Sequence, residues 1–349
     1  MKYLILVTLY GLNKIKAERS IYSLYHLFKG KRSSQTIQDA KLFQLSHLFG
    51  VVPTLERKDI ERAIIRLCSQ DDIQSSGENM YVLTVKGEKS LAQFHFPGSL
   101  NGWKYANSTP VFWDRLSLTT QCLSNVIRYE TRFIPINRDP KTLNWVKNFL
   151  KKQPTSRDEI GELLHRELLA ALKLVDERQA TILVQKLTSY QRVGLTNEQI
   201  ADHLAMDPLE VRVCFLSTLH HLLSLLEESQ QEYPLLGQLA YQQDHQSVLT
   251  LSTQKTYELL KDGMSIIEIA ENRSLKKNTI EDHIVEIALI DDHFDVSPFV
   301  HIDLFRSISE CIKRENTNQL KLIKQSLLVP ASYFEIRLVL AKVGVPYAT

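Results

Sequence analysis

The 349-residue chain has an ordinary globular composition, with 44% hydrophobic and 23% charged residues, and its length predicts two or three domains. Its 42 basic and 40 acidic residues give a formal net charge of +2, and 12 glycines and 11 prolines exclude collagen-like or low-complexity architecture. The four cysteines lie far apart without a CxxC pair, so we expect a reducing cytoplasm rather than a disulfide framework.

The near-neutral total conceals an uneven distribution of charge. Residues 1–150 carry 21 basic and 12 acidic side chains, whereas residues 151–349 carry 21 basic and 28 acidic side chains. A basic first half is a recognised hint of contact with a polyanion such as DNA. A solvated surface with a chance excess of positive charge is the alternative.

The chain begins with an apolar run that superficially resembles a signal peptide. Gly11 and Asn13 interrupt this run, and no small-residue cleavage pattern follows, so we predict a first core helix. No stretch approaches 18 consecutive apolar residues, so we expect no membrane span.

A basic turn between two helices is predicted next. Residues 20–28 have helical spacing, KGKR follows at 29–32, and a second helix begins near residue 34. Positive and short polar side chains beside a helix N-terminus suit contacts with phosphates. The residues predicted to bind DNA here are Lys29, Lys31, Arg32, Ser33, Ser34, Gln35, Thr36 and Gln38. An exposed basic turn between two packed helices is the alternative.

A short hairpin is the best candidate for β-structure. The amphipathic run 58–70 leads to strand-like residues around Ile73 and at 80–84, separated by a Ser-Ser-Gly-Glu-Asn turn. Helices followed by a small hairpin are in the order of a winged-helix domain. We therefore predict a mainly α protein, whose N-terminal winged-helix-like domain with a small β-hairpin is followed by helical domains containing helix-turn-helix units.

Loop-rich composition and lost periodicity predict the domain boundaries. Helical spacing is clearest at residues 159–174, 178–190, 210–228 and 302–314. The predicted division is a winged-helix-like domain at 1–96, a linker at 97–109, a helical middle domain at 110–230, a linker at 231–245 and a C-terminal helix-turn-helix domain at 246–349.

An internal similarity supports two helix-turn-helix units. Residues 194–215 align without gaps on residues 263–284, at a constant offset of 69. Each copy has a glycine for the turn after one helix, a capping box that opens the next helix, and aligned apolar residues for a small core. Helix-turn-helix units also serve in packing and protein docking, so this alternative stays open for both copies.

The second helices of the two copies begin with different side chains. The C-terminal copy offers Lys276, Lys277, Asn278 and Thr279, which suit contacts with phosphates and base edges. The middle copy offers Asp207 and Glu210, which cap a helix well but repel a polyanion. We therefore predict DNA contact by the C-terminal copy and a structural or protein-binding use for the middle copy.

Three segments carry a resemblance to known families. Residues 247–290 and 320–344 resemble the helix-turn-helix domain appended to the C-terminus of many bacterial RecQ-type DNA helicases. Residues 20–43 are similar to the YpbB-type helix-turn-helix proteins of Bacillota, a resemblance that spans nearly the whole chain. This resemblance implies a separate subunit that carries the accessory domain other RecQ helicases carry in cis, and it implies no catalytic residues.

The sequence contains no complete P-loop or HExxH motif. GKRS at 30–33 lacks the upstream glycine of a P-loop and the hydroxyl residue directly after its lysine, and HRELL at 165–169 lacks the second histidine of HExxH. No Ser/His/Asp or Cys/His arrangement can be proposed. We expect a non-enzymatic protein without cofactor, metal or small-molecule substrate, so any ATPase must be another chain.

The basic N-terminal half, together with what the resemblance to these families implies, favours a DNA-binding accessory subunit that works with a RecQ-family helicase in DNA repair or recombination, cytoplasmic and associated with the nucleoid. It would hold duplex or junction DNA mainly through the backbone. Two alternatives are a helix-turn-helix transcriptional regulator, which would need symmetric half-sites, and a protein-interaction scaffold without DNA contact.

Overall fold

The computed structural model describes residues 2–240 and 249–343, which form two compact units. The middle unit contains residues 94–240 together with residues 2–4, and the terminal unit contains residues 5–93 and 249–343. The terminal unit thus combines two segments that lie far apart in the sequence and were predicted to be separate domains.

The mainly α fold with one small hairpin is confirmed. The N-terminal segment contains α1 (Lys2–Ile15), α2 (Ile21–Lys29), α3 (Ser34–Leu42), α4 (Arg57–Ser69), β1 (Ile73–Gly77), β2 (Met80–Leu83) and α5 (Val85–Ala92). The middle segment contains α6 (Gly102–Tyr105), α7 (Ser108–Val126), α8 (Pro140–Lys152), α9 (Arg157–Leu172), α10 (Glu177–Lys186), α11 (Asn197–Leu204), α12 (Pro208–Glu228) and α13 (Pro234–Ala240). The C-terminal segment contains α14 (Leu251–Lys261), α15 (Ile266–Asn272), α16 (Lys277–Ile290), α17 (Ile302–Glu315), α18 (Leu320–Ser326) and α19 (Tyr333–Val343).

The predicted hairpin is present as β1 and β2, which pair antiparallel with Ile73 opposite Leu83. The second strand ends at Leu83, one residue earlier than its apolar pattern indicated. Thr84 instead caps α5, because its hydroxyl accepts a hydrogen bond from the Gly87 amide at 3.2 Å. The order of helices and hairpin is that of a winged helix.

The two segments predicted to be linkers contain helices and buried side chains. In 97–109, helix α6 forms and Leu100, Trp103 and Tyr105 are buried. The Asn101 amide also donates a hydrogen bond to His220 Nδ1 at 2.9 Å. In 231–245, helix α13 extends to residue 240, and the remainder of that predicted linker lies outside the described residues.

Helix α12 is the central helix of the middle unit. By length and composition alone it is, within residues 2–240 and 249–343, the one helix that could cross a membrane. More than half of its most apolar window is nevertheless buried, and the helix packs against α7, α10, α11 and α13. We therefore describe it as a core helix.

The two helix-turn-helix copies have the same backbone path. The aligned turn residues Ala205 and Ser274 are both left-handed, with φ of 52° and 51°. The next amides donate equivalent hydrogen bonds of 2.9 Å, from residue 206 to the Ala201 carbonyl and from residue 275 to the Ala270 carbonyl. Both capping boxes are formed, at Thr196 with Gln199 and at Ser265 with Glu268.

The aligned glycines serve different physical needs. Gly263 has φ of +85°, a left-handed conformation that favours glycine, and a Cβ placed there would meet no atom within 4 Å. At Gly194, a Cβ would lie 2.0 Å from the Lys186 carbonyl oxygen. Close approach of two backbone segments, rather than an unusual φ, therefore requires the glycine in the middle copy.

Candidate nucleic-acid interface

The N-terminus of α16 is open to an anion. Lys276 occupies the N-cap position without a side-chain hydrogen bond, and the first turn contains no acidic residue. Lys276, Lys277 and Asn278 are exposed, and Thr279 is half-buried. The first N–H groups of a helix lack intrahelical partners and its dipole favours negative charge, so this turn with its two lysines suits a DNA phosphate.

The corresponding turn of the middle copy is closed by its own carboxylate. Asp207 Oδ1 accepts a hydrogen bond from the Leu209 amide at 2.9 Å, Pro208 removes a further donor, and Glu210 adds negative charge to the first turn. The start of α12 is therefore unsuitable for phosphate, and the two copies differ in charge at this position; their different uses remain a prediction.

Helix α16 is exposed at its start and half-buried at Glu281 and Asp282. Every residue from His283 to Leu289 is buried, and α16 packs against α3, α14, α15 and α19. Burial raises the pKa of Glu286, an effect opposed by hydrogen bonds from Thr253 and Thr250. Solvent therefore reaches the first two turns of this helix, whereas the residues from His283 to Leu289 belong to the core of the terminal unit.

The predicted basic turn is exposed at Lys29, Lys31 and Arg32. Lys29 and Lys31 are exposed, and Lys29 Nζ lies 3.3 Å from the Leu55 carbonyl oxygen. Arg32 interacts electrostatically with the buried Glu286 of α16 and packs over the Phe49 ring, 6.0 Å from its centroid. All three basic side chains of the turn therefore reach solvent, and Arg32 in addition contributes to the fold through Glu286 and Phe49.

The start of α3 is used mainly within the protein. Ser33 is the N-cap, with its hydroxyl accepting a hydrogen bond from the Thr36 amide at 3.4 Å. Thr36 and Gln38 are buried, so they cannot reach DNA in this fold. Ser34 donates to Asp282 Oδ1 at 3.2 Å, whereas Gln35 is exposed. The predicted DNA contacts of Thr36 and Gln38 are corrected accordingly, because α3 packs on α16 and α19.

The terminal unit nevertheless brings the two predicted DNA-binding segments together. The Ser34–Asp282 hydrogen bond joins the start of α3 to α16 across 248 residues of sequence. Asn278 lies one helical turn before Asp282, on the same face of α16. The N-terminal basic turn and the tip of the C-terminal helix-turn-helix are therefore neighbouring features of one unit.

Helix α4 is a further basic element, to which the sequence analysis assigned no DNA-binding residue. It directly precedes the hairpin, the position that the recognition helix of a helix-turn-helix unit occupies in a winged helix. Its exposed basic residues are Arg57, Lys58, Arg62 and Arg66. Arg57 pairs with Glu61 at 2.9 Å, and Arg62 lies 3.8 Å from Asp59. Its place before the predicted hairpin was the signal that could have identified it.

These features define a helix-turn-helix protein with two such units and a winged-helix order at its N-terminus. Residues 252–340 match the family described as Helix-turn-helix domain. The chain is also 38% identical, over 347 residues, to Protein YpbB of Bacillus subtilis (strain 168), and the match covers 98% of each chain. The chain therefore belongs to the YpbB family. No solved structure matches it.

Proposed function

We propose that this protein is a non-enzymatic DNA-binding subunit that works with a RecQ-type DNA helicase in DNA repair or recombination. The observation that carries the DNA-binding part is the open, lysine-bearing N-terminus of α16 within the matched helix-turn-helix domain. Phosphate would accept hydrogen bonds from the first amides of α16 and pair with Lys276 and Lys277, while Lys29 and Lys31 supply further positive charge. Such contacts position DNA and read little sequence.

A comparison of two lysine pairs tests the DNA contact. Lys276 and Lys277 lie at a helix N-terminus, whereas Lys151 and Lys152 are exposed in the last turn of α8, where helix carbonyls disfavour phosphate. The double variants K276A/K277A and K151A/K152A remove the same charge. With a random-sequence duplex titrated over a range of salt concentrations, only the first should reduce the slope of log K against log salt, by about 2.

An equal reduction of this slope in both variants would show non-specific attraction by the whole surface and contradict a site at α16. A large preference for one duplex sequence over random DNA would contradict backbone-dominated binding and favour an operator-reading regulator.

The helicase partnership rests on the resemblance of residues 247–290 and 320–344 to the domain that RecQ-type helicases carry at their C-terminus. Nuclease-treated purification of the native protein from its own cells should recover a RecQ-type helicase in near-stoichiometric amount. ATP-dependent unwinding by that helicase should increase on addition of this protein, and less on addition of K276A/K277A. Absence of the helicase from the purified protein would contradict the partnership while leaving DNA binding in place.

A further inference from the structure

The middle unit contains an apolar groove that its own fold leaves open. One depression of about 350 Å³ lies between α7, α9 and α10, and it adjoins a second depression of about 570 Å³. The two share Leu169, Leu172 and Val184, so they form one continuous groove. Leu169 and Val184 are 47% and 41% exposed, which places apolar side chains at its edge. Exposed apolar surface of this kind marks binding sites.

A glycine allows the floor of the groove to form. Gly161 lies inside α9, where glycine is less favourable than alanine by about 0.5–1 kcal/mol. A Cβ at this position would lie 2.5 Å from Ile127 Cδ1, so the glycine lets the isoleucine pack directly on the helix. The groove then runs along α9 from Gly161 to Lys173, roughly 18 Å at 1.5 Å per residue. That length suits a helix of about 12 residues.

The charged side chains that line the groove are mainly basic. Lys173 and Arg192 are exposed and form no ion pair within residues 2–240 and 249–343; Glu177 is the one acidic residue that lines the groove in the described part of the chain. Arg192 is held by a pair of backbone hydrogen bonds with Ser189, of 2.8 and 3.2 Å. An occupant with acidic residues flanking its apolar side chains would therefore be electrostatically complementary.

We propose that this groove binds an acidic amphipathic helix of a partner protein. The apolar face of that helix, with residues spaced i, i+3 or i+4 and i+7, would lie over the floor formed by Leu123, Ile127 and Leu164. Its carboxylates would face Lys173 and Arg192. This protein-binding site lies in the middle unit, so it goes beyond the DNA contact assigned to the terminal unit and does not depend on it.

Two designed peptides of about 15 residues test the proposal. Both carry leucines at helical spacing, with glutamates elsewhere in one and lysines in the other, and binding to the full chain is followed by fluorescence polarisation. The acidic peptide should bind at least about tenfold more tightly than the basic one. L169E should abolish binding, whereas I302E, an equivalent change at an exposed apolar residue of α17, should not.

A charge exchange supplies the decisive comparison. K173E/R192E should weaken binding of the acidic peptide about tenfold and strengthen binding of the basic peptide. Equal affinity for both peptides would overturn the choice of an acidic occupant, and binding unaffected by L169E would overturn the location. Self-association of the protein that L169E abolishes would make the groove an interface between copies and likewise overturn the proposal. Duplex affinity, measured on the same variants, should stay unchanged, so failure here is distinguishable from failure of the DNA-binding function.

Discussion

Replacing Arg337 by alanine should destabilise the terminal unit by about 2–3 kcal/mol. Arg337 of α19 donates hydrogen bonds to three side chains, Gln38 Oε1 at 3.0 Å, Asp282 Oδ1 and Ser34 Oγ. Removing it leaves the buried Gln38 oxygen without this donor, which costs about 1–3 kcal/mol. The ion pair with Asp282, whose side chain is 42% exposed, adds at most about 1 kcal/mol.

The chain offers a matched control and a selective probe for this experiment. Arg306 of α17 is exposed, so R306A should change stability by less than about 0.5 kcal/mol. The three tryptophans, Trp103, Trp113 and Trp145, all belong to the middle unit, so in urea unfolding their fluorescence reports that unit while circular dichroism reports both. R337A should shift the dichroism transition more than the fluorescence transition.

A double-mutant cycle tests the contact itself. R337A and Q38A together should destabilise by less than the sum of the single changes, with a coupling energy of at least about 0.5 kcal/mol. Additive changes in the free energy of unfolding would refute the inference that Arg337 holds the N-terminal and C-terminal segments of the terminal unit together. A loss of stability in R337A no larger than that in R306A would refute it as well.

Three further predictions concern the two aligned glycines, the buried His220 and the basic turn. G263A should lower the free energy of unfolding in urea by about 1 kcal/mol, because an alanine there is strained only by its left-handed backbone. G194A should lower it further, because the added Cβ meets a carbonyl oxygen. Equal losses of stability in the two variants would contradict this distinction. Burial lowers the pKa of His220 to about 4, so the folded state holds this histidine neutral. Because the unfolded chain binds a proton more readily, about 3 kcal/mol of folding stability should be lost as the pH falls from 6.5 to 4. H220N keeps an acceptor for the Asn101 amide, so tryptophan-monitored unfolding should show a flatter pH dependence; an unchanged profile would contradict the assignment. K31A should weaken duplex binding without loss of stability, whereas R32A should mainly lower the unfolding midpoint because Arg32 interacts with buried Glu286; the reverse pattern would contradict their assigned roles.

Local patterns predicted the elements of the fold well. Capping boxes, the glycine turns and the hairpin depend on residues within a few positions of each other, so the sequence displays them directly. The same holds for the open start of α16, where Lys276 and Lys277 follow the helix-turn-helix turn. At these positions the residues concerned are close together in the sequence, so local patterns are sufficient to predict their arrangement.

Long-range packing explains what the sequence analysis missed. The polar start of α3 has the composition of a DNA-contacting helix, yet Thr36 and Gln38 are buried because α16 and α19 cover them. The partner residue Asp282 lies 248 positions from Ser34, and no pattern within either segment encodes that contact. Trp103 and Tyr105 are likewise buried in a segment whose glycines and prolines predicted a linker.

The two helix-turn-helix copies show how one backbone design can carry opposite chemistry. Their turns, caps and hydrogen bonds are equivalent at an offset of 69 residues, so the difference lies in what occupies the start of the second helix. In the middle copy Asp207 supplies a carboxylate to the helix N-terminus, whereas in the terminal copy the aligned N-cap residue is Lys276, which makes no side-chain cap hydrogen bond. A ligand that competes with DNA for the terminal copy should therefore be an anion such as inorganic phosphate at high concentration.

Introducing a carboxylate cap at the start of α16, as in K276D, should reduce DNA affinity more than K276A does, because an internal carboxylate both occupies the helix donors and repels phosphate. Similar affinities of K276D and K276A for duplex DNA would show that the helix N-terminus contributes nothing beyond the charge of its lysines.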